Sequence, residues 1–230
     1  EIIHSSRVSV FFIDEDQIVT TSDVGSVELI RKCAKEEGST VLCGDELNLV
    51  SQFRCNGSDG YLAFLDNLLG IRKTANTQVD IDYDIQVFDS PGKMRDALRE
   101  KNRVANKSRM IAGYCYDWVS KKDRNLYDII LPGGFKAQWN FSDTATWAID
   151  DDSFDQVGCI HTSQGLEFDY VGIIIGKDLI FKDGEVQTDY LARAKTDTSL
   201  KGIKSSRNYA LADRIIRNTY RTILSRGQKG

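Results

Sequence analysis

The chain has 230 residues, 41% hydrophobic and 28% charged, with a net charge of -4. That profile excludes a disordered chain and suits one large domain or two small ones with a real core. No apolar run approaches the roughly 18 residues of a membrane span, and the first ten residues lack the pattern of a secretory leader, so a cytoplasmic, reducing location is expected and no membrane partner. The five cysteines form no CxxC pair and there are only two histidines, which speaks against both a zinc site and a disulfide framework.

In chain order, the continuous apolar run VSVFFI at 8–13 predicts a strand buried on both faces. A helix is expected over 24–37, with Asp23 as its N-cap and Gly38 past its end. A second helix is expected over 58–69, followed by Gly70. A short strand over 85–88 leads to Ser90-Pro91, which opens a helix through about Ala105, with Pro in the first turn. Strands are expected over 110–116 and 127–131, the second broken by Pro132-Gly133-Gly134. The stretch 135–152, with Trp139 and Trp147, shows no clear period. Two further core-type strands cover 157–161 and 171–175. Lys182-Asp183-Gly184 marks a hairpin. The last helix runs over 207–225, with Tyr209, Ala212, Ile216, Tyr220 and Ile223 on one face. This alternation predicts an α/β fold with a mainly parallel sheet.

Charge is uneven along the chain. Residues 201–230 hold eight Lys or Arg and one acid, Asp213, whereas 143–155 hold five Asp and no base.

Four segments carry candidate chemistry. Asp14-Glu15-Asp16-Gln17 follows the first predicted strand, where carboxylates face an α/β ligand crevice. Gln52-Phe53-Arg54-Cys55 places an arginine between regular elements. HTSQGLEF at 161–168 is the most specific: a polar, Gly-containing cluster between two core strands with no apolar role. Tyr220 to Gly227 ends a helix on Arg226 and a glycine.

In this order the four segments resemble the later motifs of superfamily 1 helicases. DEDQ at 14–17 is similar to motif III, with Ile13 where the family has Gly. LVSQFRCN at 49–56 is similar to motif IV, IHTSQGLEFD at 160–169 to motif V, and YRTILSRGQKG at 220–230 to motif VI. The combination QFRCNGSDGY, Trp139-Asn140, GCIHTSQGLEFDYVG and the final helix also resembles a bacterial ATPase family whose helicase-like half is shared with Schlafen proteins. An alternative for DEDQ is a Walker B box with Glu15 catalytic. The 34 residues between Gln17 and Gln52, with no other motif III candidate, favour motif III.

The resemblance implies a RecA-like domain with a hairpin insertion near 176–190. Residues 1–38 would be the end of a preceding RecA-like domain, and 39–230 the second one. No GxxxxGK[ST] occurs, so the phosphate-wrapping loop would lie on a missing N-terminal domain. ATP and Mg²⁺ are expected in the full-length protein and not on this piece. Arg54 and Arg226 would be arginine fingers, meeting at one phosphate, and Gln17 a γ-phosphate sensor. Asp14, Gly165 and Glu167 would face the nucleotide. His161, Thr162, Arg214 and Arg217 would face DNA or RNA. The acidic trio Asp150, Asp151 and Asp152 does not read as a nuclease metal site. The other reading left open is a helicase-like binding or regulatory module without turnover.

Overall fold

The structure, a computed structural model, describes residues 1–47, 59–78, 83–142 and 144–230. Its helices are α1 (Val27–Glu36), α2 (Asp59–Leu68), α3 (Pro91–Ala105), α4 (Ile203–Ser206) and α5 (Tyr209–Leu224). Its strands are β1 (Ser108–Ala112), β2 (Ile129–Leu131), β3 (Phe135–Ala137), β4 (Val157–Gly158), β5 (Tyr170–Ile174), β6 (Leu179–Lys182) and β7 (Glu185–Thr188).

The centre is a parallel sheet in the order β4-β1-β5. β1 is buried along its whole length, as a central parallel strand must be. Short pairings extend the sheet at both edges. Trp139 bridges Val157 in parallel, and Phe168 bridges Gly227. The chain end then follows the start of β5, with the amides of Gln228 and Lys229 donating to the carbonyls of Phe168 and Asp169 at 2.9 and 2.8 Å.

α3 covers β1 and β5. A Cβ on Gly172 of β5 would lie 2.5 Å from Leu98 and 3.1 Å from the Met94 sulfur, so the absent side chain sets how closely the helix sits. α5 buries Ala212, Ile215, Ile216, Tyr220 and Ile223. Tyr220 accepts from the Gly176 amide at 2.9 Å and donates to Asp178 at 2.5 Å. The hairpin β6–β7 turns through Asp183 (φ 55) and Gly184 (φ 85), the paired positive φ angles of a tight hairpin.

Buried polar groups fix the loops. Arg109, fully buried, donates to Ser153 Oγ, to Asn102 and Asn106 side chains, and to the Ser108 and Asp150 carbonyls at 2.7–3.0 Å. Burial lowers this guanidinium to about 10, and the neighbouring carboxylates of Asp150 and Asp151 oppose that fall.

The expected strand at 8–13 does not form. Val8 and Phe12 are 82% and 77% exposed, and among the described residues no backbone hydrogen bond ties this run to a neighbour. An apolar run becomes a buried strand only where partner strands satisfy its backbone. Residues 85–88 likewise form no strand. Asp23 does not cap α1: its carboxylate accepts from the Val19 and Thr20 amides at 2.8 and 2.9 Å, and Ser26 caps the helix through the Leu29 amide at 3.0 Å. The other expected helices and core strands form with ends shifted by a few residues.

Candidate nucleic-acid interface and motif cluster

In a parallel sheet every connection must carry the chain from the carboxyl edge of one strand back to the amino edge of the next. The HTSQGLEF segment is such a connection, from β4 across β1 to β5. His161 and Thr162 therefore belong to the carboxyl edge, and Glu167 and Phe168 to the amino edge.

At the amino edge the last two motifs meet. Phe168 pairs with Gly227, and Lys229 reaches Asp169 Oδ2 at 2.7 Å. Gly165 adopts φ +77 with open space where a side chain would stand, so its backbone can approach a ligand closely. Glu167 is exposed, and Arg226, two residues past α5, is 5% exposed. Arg54 lies outside the described residues, so its distance to Arg226 is not defined.

The DEDQ segment sits elsewhere. Asp14 caps a short 3-10 turn and accepts from Gln17 Nε2 at 2.8 Å. Arg214 donates to the Glu15 carbonyl at 3.1 Å, and Asn218 to the Ile18 carbonyl. This places 14–18 against the first half of α5, and about 15 Å of helix separates Arg214 from Leu224. The structure thus brings the neighbours of Glu167 and Arg226 together, leaves Gly165 in the series of turns that follows Cys159, and sets Asp14 and Gln17 apart against α5.

Arg214 and Arg217 do lie off the apolar stripe, yet differ. Arg217 Nε bonds both Asp213 oxygens at 2.9 Å, and its other nitrogens donate to the carbonyls of Leu69 and Val186. Arg214 keeps 46% of its side chain exposed. Arg221 pairs with buried Asp66, which also holds Arg72. These arginines engage α2, the loop after it, the β7 strand and the 15–18 turn; among the described residues none of them pairs with the acidic 144–155 stretch.

At the carboxyl edge lies a cavity of about 380 Å³. Its walls come from the ends of β1 and β4, the 138–140 extension, the 196–199 loop and the 20–22 turn. Just past β1, Tyr114, Tyr116 and Trp118 follow one another at every second residue, and all three line the cavity. Asp117 holds this segment by accepting from the Lys195 amide at 3.0 Å. Asp128 accepts from the Ser120 and Trp139 amides at 2.8 and 2.7 Å. Trp139 stands edge-on to both Tyr114 and Trp118. Lys121 Nζ lies 4.6 Å over the Trp118 ring.

Thr162 lies behind the lining residues Asn140 and Cys159. It is 5% exposed and donates to Asn140 Oδ1 at 2.5 Å while receiving the Cys159 amide at 3.4 Å. Asn140 takes φ 51, a conformation Asn tolerates better than most residues. His161 is exposed at the rim, its ring 6.2 Å from that of Tyr114. Behind Tyr114, the Arg193 guanidinium lies 4.9 Å over its ring and is held by Asp178 at 2.6 Å. Burial pushes the Tyr114 phenol and the Cys159 thiol well above their ordinary ranges, and Tyr116 up to about 12. The phenols are therefore donors at neutral pH.

Sequence reasoning missed this aromatic set, although the alternation of Tyr114, Tyr116 and Trp118 after a buried strand is a legible signal. A larger, mostly apolar cavity of about 520 Å³ lies among α2, α3 and β5. It contains none of the candidate residues. Among the described residues no three His, Cys, Asp or Glu side chains cluster closely enough to hold a metal ion, and no helix is long and apolar enough to cross a membrane.

The chain is 26% identical over 157 residues to a protein of Saccharomyces cerevisiae named "Uncharacterized protein YPL245W", covering 65% of this chain and 34% of that protein. It thus spans about a third of that relative's length. No solved structure matches. The family described as "Schlafen group 3, DNA/RNA helicase domain" matches residues 1–230, and the chain belongs to this family of helicase-like, nucleic-acid-related domains.

Proposed function

We propose that this chain is the second RecA-like motor domain of an ATP-dependent nucleic-acid translocase, closing over ATP bound to a preceding RecA-like domain. The observation that carries the reading is the pairing of Phe168 with Gly227. Glu167 and Arg226 each precede one of the two paired residues, which supports reading this edge of the sheet as a shared nucleotide-facing surface. His161 and the Lys121–Trp118 pair lie at the opposite edge, which leaves a separate track for DNA or RNA. The exposed apolar run at 8–13 supports the same reading, since a strand of a neighbouring domain's sheet would lack its partners here.

In this assignment Gly165 and Glu167 would contact the nucleotide through backbone and carboxylate. Arg226 and Arg54 would neutralise charge developing on the transferred phosphoryl group, Gln17 would sense the γ-phosphate, and Asp14 would orient Gln17 through the bond they already share. Mg²⁺ would be held by the preceding domain.

The test is turnover of the full-length protein. Arg226→Ala should lower nucleic-acid-stimulated ATP hydrolysis by about 10³–10⁵ while ATP binding stays mostly intact. Unchanged hydrolysis would remove Arg226 from the reaction. A wild-type protein that binds nucleic acid but does not hydrolyse ATP would establish the non-catalytic binding module, a reading that the near-complete enclosure of Arg226 also suits.

A further inference from the structure

We infer that the cavity at the carboxyl edge of the sheet is a nucleobase pocket, taking one unstacked base of a single strand against Trp118 and Tyr116. This rests on the nucleic-acid reading above and adds to it where on the domain a base is held and by what chemistry.

Three independent features carry the inference. The first is shape and lining. At about 380 Å³ the cavity falls in the size range of small-ligand pockets; one side carries Tyr114, Tyr116, Trp118 and Trp139, and the polar 196–199 loop forms another. Trp118 and Tyr116 are only half-buried, so both rings can receive a flat partner. Core aromatics of this domain, such as Trp147 and Phe168, are instead fully enclosed. Stacking on such rings is tolerant of base identity, because every base has a π face.

The second feature is an unspent donor. Tyr114 is 6% exposed and lines the cavity, and its hydroxyl has no hydrogen-bond partner among the described residues. A buried hydroxyl left unmatched is costly, and the edge of a base supplies the acceptors that would match it. Arg193 fixes the ring from behind through the Asp178 bond, so the hydroxyl is held in place before a ligand arrives.

The third feature is charge at the rim. Lys121, exposed, stands over one face of the Trp118 ring and leaves the other for a base, and His161 is exposed near Tyr114. A cation next to a stacking ring suits a base that arrives attached to a phosphate chain.

The test uses the 230-residue chain, whose tryptophans are Trp118, Trp139 and Trp147. Its intrinsic fluorescence is titrated with a dodecamer of oligothymidylate at low salt, while anisotropy of a labelled copy reports binding separately. The expected result is saturable quenching that follows the anisotropy. Trp118→Leu and Tyr116→Leu, each checked by circular dichroism, should weaken binding by about five- to a hundredfold. Lys121→Ala should flatten the log–log salt dependence by about 0.7. An abasic dodecamer should bind more weakly than the intact one and leave the fluorescence unchanged. Thymidine monophosphate tests the other source of a base: saturation at concentrations matching the oligomer would overturn the strand assignment. Binding by anisotropy without quenching, and indifferent to both Leu variants, would overturn the pocket and leave the nucleic-acid reading standing. Absence of any oligonucleotide binding would overturn both.

Discussion

The Thr162 hydroxyl donates to Asn140 Oδ1 at 2.5 Å, joining the loop after β4 to the chain that runs on from β3. Thr162 was expected to face nucleic acid, and its hydroxyl is instead engaged inside the domain. Thr162→Val keeps the shape and removes the hydroxyl, leaving the buried Cys159 amide without its acceptor and the half-buried Asn140 oxygen without its donor. Stability should fall by about 1–3 kcal/mol, read as a lower urea midpoint with an unchanged m-value. Thr162→Ser should restore most of it. A Val variant of wild-type stability but weakened oligonucleotide binding would return Thr162 to a direct contact role.

Arg214 and Arg217 separate in the same kind of measurement. Arg217 has two carboxylate oxygens and two backbone carbonyls as acceptors, so Arg217→Ala should cost about 1–3 kcal/mol of stability. It should leave the salt dependence of nucleic-acid binding unchanged. Arg214, with nearly half its side chain exposed, should change stability by no more than about 0.5 kcal/mol when replaced by Ala. If it meets a phosphate in the full-length protein, its loss should lower the single-strand salt slope by about 0.7. A flattened slope for Arg217→Ala at full stability would reverse the two assignments.

The parallel core was legible because 110–112, 157–160 and 171–175 are short apolar runs, the last rich in Val and Ile, as strands buried on both faces are. The KDG turn was legible because Asp183 and Gly184 can both take positive φ. The run at 8–13 carries the same apolar signal and forms no strand, since pairing depends on a partner that a local pattern cannot reveal. Among the candidate residues, the motif resemblance named Asp14, Gln17, Arg54, Gly165, Glu167 and Arg226 together; the Phe168–Gly227 bridge joins the neighbours of Glu167 and Arg226, while Asp14 and Gln17 lie against α5. The resemblance did not reveal the aromatic cavity. Trp139 reaches it from a stretch without period, and the Asp128 carboxylate, accepting from both the Ser120 and Trp139 amides, ties the two walls together.

Glycine at 172 was unremarkable in the sequence, yet it sets the seat of α3. A Cβ there would lie 2.5 Å from Leu98 Cδ1, with Met94 close behind. Gly172→Ala should therefore destabilise by about 1–3 kcal/mol through overpacking, despite the usual gain from replacing glycine in a strand. Combining it with Leu98→Ala should recover part of the loss, because the two sites touch and their effects will not add. An alanine variant as stable as wild type would mean that α3 shifts freely over β5.

Alkaline pH should unfold the protein through groups that cannot ionise while buried. Burial pushes Tyr116 from 10.0, and Cys115 from 9.0, each to about 12. It also pushes Tyr114, Tyr220 and Cys159 upward. In the unfolded chain these groups lose protons near their ordinary values, so above about pH 9 the native state binds more protons than the unfolded one. The sign follows: their contribution is present in full below about pH 9 and is lost as pH rises through the folded values. Each group ionised only in the unfolded state steepens the loss by about 1.4 kcal/mol per pH unit. Urea midpoints measured at rising pH should fall steeply from about pH 9, with part of the tyrosinate absorbance appearing only in step with loss of circular dichroism. Full tyrosine ionisation near its ordinary range, with the fold still intact, would show that these phenols are open to solvent and that the aromatic wall is not packed as described.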